Sequence, residues 1–121
     1  MKIKVSEHAL QTLIIHWLQA HRYYVMRLNS GRIRTEKGYM VKLGEVGTPD
    51  IMAFKEVKQD PCFENGEEPR NCDKLNLVFI EVKTPNNPKP TFAQEQKMKE
   101  LEEYGARCLV IHSLEELEDQ L

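Results

Sequence analysis

Apolar residues recur at helical spacing after Ser6. Leu10, Leu13, Ile14, Trp17 and Leu18 share one face and Ser6 is a good N-cap, so residues 6 to 20 are expected to form an amphipathic helix. Glu7 falls on that same face. A carboxylate there either meets the positive end of the helix dipole or looks inward toward a site. Three short strands are expected next, YYVMRL (23–28), YMVKL (39–43) and DIMAF (50–54), parted by the turn signals NSG and GEVGTP and arranged as a meander. The stretch from Glu56 to Asn76 is polar and reads as a long hairpin loop or insertion. LVFIEVK (77–83) is the most strand-like segment, stopped by TPNNPKP. Thr91 opens a second helix that runs to about Tyr104 and closes at Gly105. RCLVIH (107–112) is a further strand, and Ser113 with Glu116 makes a capping box for a last short helix. A helix between the last two strands favours a parallel crossover, so an α/β fold is expected, with core order αβββαβα and a mixed central sheet flanked by helices.

Within LVFIEVK, alternation puts Leu77, Phe79, Glu81 and Lys83 on one face and Val78, Ile80 and Val82 on the other. Both faces begin apolar, which predicts a central strand with Glu81 and Lys83 at its C-terminal end. A carboxylate in such a place is costly unless something positive compensates it. Lys83 offers an ion pair, although buried ion pairs seldom add net stability; a divalent cation compensates better. Asp50 is a second acid, delivered by the turn Gly47-Thr48-Pro49 to the start of DIMAF. If DIMAF and LVFIEVK pair as a hairpin, Asp50 and Glu81 come close together. Two hard oxygen ligands suit Mg²⁺ or Mn²⁺, and Lys83 reaches the same space, where it could serve an attacking water and stabilise charge on a phosphate. That is the equipment of a phosphodiesterase. Each element alone is common; their order, spacing and strand context together carry the reading.

With 121 residues and 40% hydrophobic content, the chain suits one domain over 1–121. No apolar stretch approaches the ~18 residues of a membrane span, and MKIKVSEHAL lacks a signal-peptide core, so an intracellular, soluble, cytoplasmic protein with no membrane partner is expected. Cys62, Cys72 and Cys108 show no CxxC spacing and read as free thiols. The formal net charge is −2 but unevenly spread: His21 to Leu43 holds six basic residues against Glu36, while Glu95 to Leu121 holds eight acids against three bases. The basic region either meets phosphates or is a solvated face.

The sequence resembles the PD-(D/E)xK nuclease superfamily and, within it, the VRR-NUC domain family. Pro49-Asp50 is similar to the PD and Glu81-Val82-Lys83 to the (D/E)xK, with NSG at 29–31, Gly-x-Pro-Asp at 47–50 and a glutamine in the following helix in the family's order. The resemblance runs from Glu7 to about Leu117 and implies a restriction-endonuclease-like core. It also implies that Asp50, Glu81 and the Val82 carbonyl bind Mg²⁺ or Mn²⁺, that Glu7 is turned toward the metal, and that Lys83 serves the attacking water. Gln94 is the matching glutamine; because Thr91-x-x-Gln94 is also a capping box, its role could be structural, catalytic or both. Stand-alone VRR-NUC domains, often phage-encoded and so acting in the host cytoplasm, are similar to Holliday junction resolvases and act as homodimers on branched DNA. Arg27, Ser30, Arg32, Arg34 and Lys42 are the candidate nucleic-acid contacts. A nuclease for flap or linear DNA, and a non-catalytic DNA-binding module, are the competing expectations. The segment between Asp50 and Glu81 is longer than the usual pattern.

Overall fold

The computed structural model describes residues 6–28, 32–34, 36–42, 46–57 and 74–121. Helix α1 (Glu7–Ala20) starts where Ser6 Oγ accepts the Ala9 N–H and buries Leu10, Ile14 and Leu18, one residue per turn. Each such side chain contributes about 2 kcal/mol by leaving water. The helix ends on the two backbone bonds of a Schellman turn, Tyr23 N–H to the Leu18 carbonyl and Arg22 N–H to the Gln19 carbonyl. Arg22 takes the left-handed position there with φ 68°, and the turn carries Tyr23 into the core.

Five strands follow, β1 (Tyr24–Arg27), β2 (Arg32–Arg34), β3 (Met40–Lys42), β4 (Ile51–Val57) and β5 (Lys74–Val82). Then come α2 (Phe92–Glu103), β6 (Arg107–Ile111) and α3 (Leu114–Gln120). The main sheet has the order β1-β4-β5-β6, with β1, β4 and β5 antiparallel and β5 parallel to β6. This is an α/β fold with a mixed sheet, and α2 forms the parallel crossover anticipated from the sequence.

Two expectations are corrected. The strand at 39–43 is not part of a meander: Met40–Lys42 pairs with Arg32–Arg34 as a separate ribbon, and β1 pairs directly with β4. Four strands are expected from the sequence before the second helix, one more than αβββαβα holds; with the ribbon between β1 and β4 set apart, the four-stranded sheet and its helices do run αβββαβα. The hairpin also runs further into the polar segment than its composition suggests. Lys55, Glu56 and Val57 pair with Asn76, Leu75 and Lys74, because the backbone ladder needs no apolar side chains to continue. Cys62 and Cys72 lie outside the described residues.

One face of the sheet, carrying Ile51, Ala53, Val78, Ile80, Val82, Leu109 and Ile111, packs with α1 and α3 into the core. The other face carries Phe79, Glu81 and Lys83. There α2 lies over β6, with the Cys108 thiol reaching the Met98 carbonyl at 3.6 Å. Gly105, with φ 97°, closes α2 in the same Schellman pattern as α1, as the sequence predicted. No helix among the described residues is long and apolar enough to cross a membrane.

Candidate metal centre

The site forms where the β4–β5 ladder runs out. The last register pair is Ile51 with Ile80, so Asp50 falls opposite Glu81. Alternate N–H groups of β5 turn to opposite neighbours: that of Lys83 goes to the Ile111 carbonyl of β6 at 3.0 Å, and that of Val82 faces β4. Beyond Ile51 no strand is left to receive it, and the Asp50 carboxylate does so instead, Oδ2 accepting the Val82 N–H at 2.8 Å. In an extended strand the carbonyl of a residue points to the same side as its N–H, so the Val82 carbonyl is turned toward Asp50 as well.

Asp50 is delivered by a turn whose shape requires glycine. Gly47 has φ 83°, and a Cβ at this position would fall onto the Ala93 carbonyl and within 2.9 Å of Gln94 N. The turn thus lies flat against the first turn of α2. Buried Pro49 follows, and the Asp50 carbonyl accepts the Leu28 N–H at 2.8 Å, which ties the turn to the end of β1.

Glu81 and Lys83 are only 2% and 4% exposed. The Lys83 ammonium stands 3.7 Å from Glu81 Oε1, a loose ion pair, and the Gln94 amide donates to the same oxygen at 2.9 Å. The other oxygen, Glu81 Oε2, is buried with no N–H donor on it, and the Asp50 carboxylate beside Glu81 hydrogen-bonds to it only when the pair holds a proton. A buried carboxylate with an orphaned oxygen is expensive to hold in the charged form. Burial pushes the Glu81 carboxyl up to about 8, the charge of Asp50 adds to the rise, and Lys83 opposes it. Asp50 is raised as well, chiefly by burial, with the Val82 N–H holding it down. Metal-free at neutral pH, the pair keeps a proton on Glu81.

Gln94 serves two purposes at once. Its Oε1 accepts the Thr91 N–H at 2.8 Å, completing the capping box of α2, while its Nε2 reaches Glu81. The choice between helix cap and site residue was therefore no choice. Glu7 stands in the first turn of α1, close enough for its charge to raise Glu81 further. Among the described residues, however, no three His, Cys, Asp or Glu side chains gather as a metal-ligating group. The carboxylates facing one another are Asp50 and Glu81, with Glu7 further off.

Arg27 pairs in register with Ile51 at the exposed end of β1, and its charge lowers the Asp50 pKa. This candidate phosphate contact is at the site. Arg32, Arg34 and Lys42 belong to the β2–β3 ribbon, where Arg32 and Lys42 are partners; Ser30 lies outside the described residues. Sequence pattern misses one support of the site: Gly47 reads as part of a turn, with no sign of its contact with α2. His112 reads only as the end of a strand, with no sign of its contact with Pro88. The Ser113–Glu116 pair also differs from expectation: Ser113 Oγ accepts the Glu116 N–H, but the Glu116 carboxylate takes the N–H of His112 at 2.8 Å.

The donor set is one of oxygens: the Asp50 and Glu81 carboxylates and a strand-end carbonyl. It fits a hard divalent cation such as Mg²⁺ or Mn²⁺, whose binding would displace the proton held by Glu81. Fold and site thus define a mixed-sheet α/β protein with a buried glutamate and lysine at the end of a central strand and a half-buried aspartate beside them. Compared with known proteins, the chain matches no family model, no curated protein and no solved structure.

Proposed function

We propose that the chain is a metal-dependent, structure-selective DNA endonuclease of the VRR-NUC type, a Holliday junction resolvase acting as a homodimer in the cytoplasm. The observation that carries the reading is the buried Glu81 carboxyl, set against Asp50 with Lys83 and Gln94 beside it, whose Oε2 receives no N–H donor. A structural ion pair with Lys83 calls for no second carboxylate, and the charge of Asp50 instead adds to the cost of ionising Glu81.

Asp50, Glu81 and the Val82 carbonyl would hold Mg²⁺ or Mn²⁺, which supplies Lewis-acid stabilisation of phosphate charge and makes water more acidic. The protein's own groups do the rest. The Val82 N–H fixes the Asp50 carboxylate, and the Gln94 amide fixes that of Glu81. Lys83, almost fully enclosed, positions the attacking water and offsets the negative charge that grows on the phosphate oxygens. As the new bond from water to phosphorus forms, the bond to the leaving sugar oxygen breaks in line. Arg27 at the rim, with Arg32, Arg34 and Lys42 on the ribbon, holds backbone phosphates without reading bases. A twofold dimer suits a four-way junction, where two related cuts need two related sites.

The test is cleavage of labelled four-way junctions, flaps, duplex and single strands with Mg²⁺, Mn²⁺ or chelator, using wild type, Asp50→Ala and Lys83→Ala. Cation-dependent cleavage, strongest on junctions and lost in both variants, is expected. No cleavage of any substrate overturns the enzyme, and a preference for flaps or linear DNA overturns the junction assignment. Light scattering tests the dimer, which a mass of 14.1 kDa, that of one chain, would reject.

A further inference from the structure

His112, the residue after β6, lies apart from the carboxylate pair, yet its ring is held at both nitrogens. Nε2 is 2.7 Å from the Pro88 carbonyl oxygen and Nδ1 is 3.0 Å from Glu116 Oε2. Neither partner has a proton to give. A peptide carbonyl only accepts, and the Glu116 carboxyl stays ionised because the His112 backbone N–H holds it below the usual range. A neutral imidazole has one N–H, so only the doubly protonated ring satisfies both contacts. The backbone bond from His112 to Glu116 fixes the start of α3 without the ring's help, which leaves the Pro88 contact as what the ring adds.

Pro88 is in the connection from β5 to α2, Thr84-Pro-Asn-Asn-Pro-Lys-Pro90. Three prolines fix φ along it, and the Asn87 N–H to the Thr84 carbonyl at 3.0 Å closes its first turn. On one side the connection begins at Lys83. On the other it delivers Thr91, the cap of α2, and thereby Gln94. A connection this stiff passes a displacement at Pro88 to both ends.

We propose that His112 is a positioning residue: an imidazolium strap that ties the β5–α2 connection to the β6–α3 corner and so sets where Lys83 and Gln94 stand against Glu81. The groups facing the ring are the Pro88 carbonyl from the connection, the Glu116 carboxylate from α3 and the backbone at the end of β6. The Pro88 carbonyl and then Glu116 raise the ring's pKa above its ordinary 6.5, and Glu116 supplies the charge among the described residues that acts on it. The strap holds below the ring's pKa and slackens above it, where one of its two donors is lost. Its bearing on catalysis rests on the nuclease reading; the strap itself needs neither substrate nor cation.

The experiment is an NMR pH titration of the metal-free full chain, following histidine ring signals and the Thr84, Asn87 and Thr91 amides in wild type, His112→Gln and Glu116→Gln. In wild type the ring is expected to titrate above 6.5, with the three amides moving at the same midpoint. That component should vanish in His112→Gln, and Glu116→Gln should lower the midpoint while ring and connection still move together. A ring that titrates at or below 6.5, amides that do not follow it, or an unchanged transition in His112→Gln overturns the strap. If His112→Gln does not fold, wild type and Glu116→Gln still decide. Absence of DNA cleavage, by contrast, would overturn only the nuclease reading.

Discussion

The Asp50 carboxylate accepts the Val82 peptide N–H at 2.8 Å and so finishes a ladder that β4 leaves incomplete. One side chain thereby closes the sheet and stands beside Glu81, and the two duties separate by substitution. Asp50→Asn keeps an acceptor for the N–H and is expected to unfold in denaturant within about 1 kcal/mol of wild type, whereas Asp50→Ala strands the N–H and costs about 1–3 kcal/mol. Both should lose cation-dependent cleavage. Equal stability of the two variants would remove the ladder role.

Glu81 sets a pH dependence. Its carboxyl is raised from 4.5 to about 8 in the folded protein, so between those values the folded state binds more protons than the unfolded one. The metal-free protein therefore loses stability as pH rises through that window, with no such cost at its acid end and the full cost above its alkaline end. Mn²⁺ or Mg²⁺ should restore stability most at the alkaline side, and Glu81→Gln should flatten the dependence. Thermal unfolding across pH, with chelator and with cation, measures all three; a metal-free melting temperature that climbs through the window contradicts the assignment.

Gly47 is expected to tolerate no side chain. Gly47→Ala brings a Cβ onto the Ala93 carbonyl at a residue whose φ is 83°, and both effects add, for a loss above about 1 kcal/mol in denaturant unfolding. If the variant folds, cleavage should fall with it, because α2 is pushed away from Asp50. Wild-type stability in Gly47→Ala would show the packing to be looser than described.

Gln94 can be divided in the same way. Gln94→Ala loses the capping box and costs about 1 kcal/mol. Gln94→Glu retains an N3 acceptor for the cap but sets a second carboxylate against Glu81. Cleavage is expected to drop in both, and stability mainly in the first. Wild-type cleavage by Gln94→Glu would reduce the residue to a helix cap.

Much of the fold could be read from local pattern. Leu10, Ile14 and Leu18 announced α1 by spacing, Gly105 announced the end of α2, and the alternation in LVFIEVK gave the central strand with Glu81 and Lys83 on one face. Asp50 opposite Glu81 followed from a hairpin, and the hairpin formed. What local pattern could not supply was partner choice. YMVKL has the makings of a sheet strand, yet its Met40–Lys42 pairs with Arg32–Arg34, because strand propensity says nothing about which strand answers. The contacts of Gly47 with α2 and of His112 with Pro88 join residues 46 and 24 positions apart, taking Ala93 as the first pair's partner, and no local signal marks either.

The β4–β5 hairpin holds seven register pairs between Ile51–Ile80 and Val57–Lys74, a span of about 20 Å at strand rise. Asp50 and Glu81 stand at one end, and residues 58–73 join the two strands at the other. Insertions, deletions or wholesale replacement of that segment are thus expected to leave the carboxylates where they are. The hairpin thus insulates one end from the other: a change beyond Val57 and Lys74 has seven paired rungs to cross before it reaches Asp50 and Glu81.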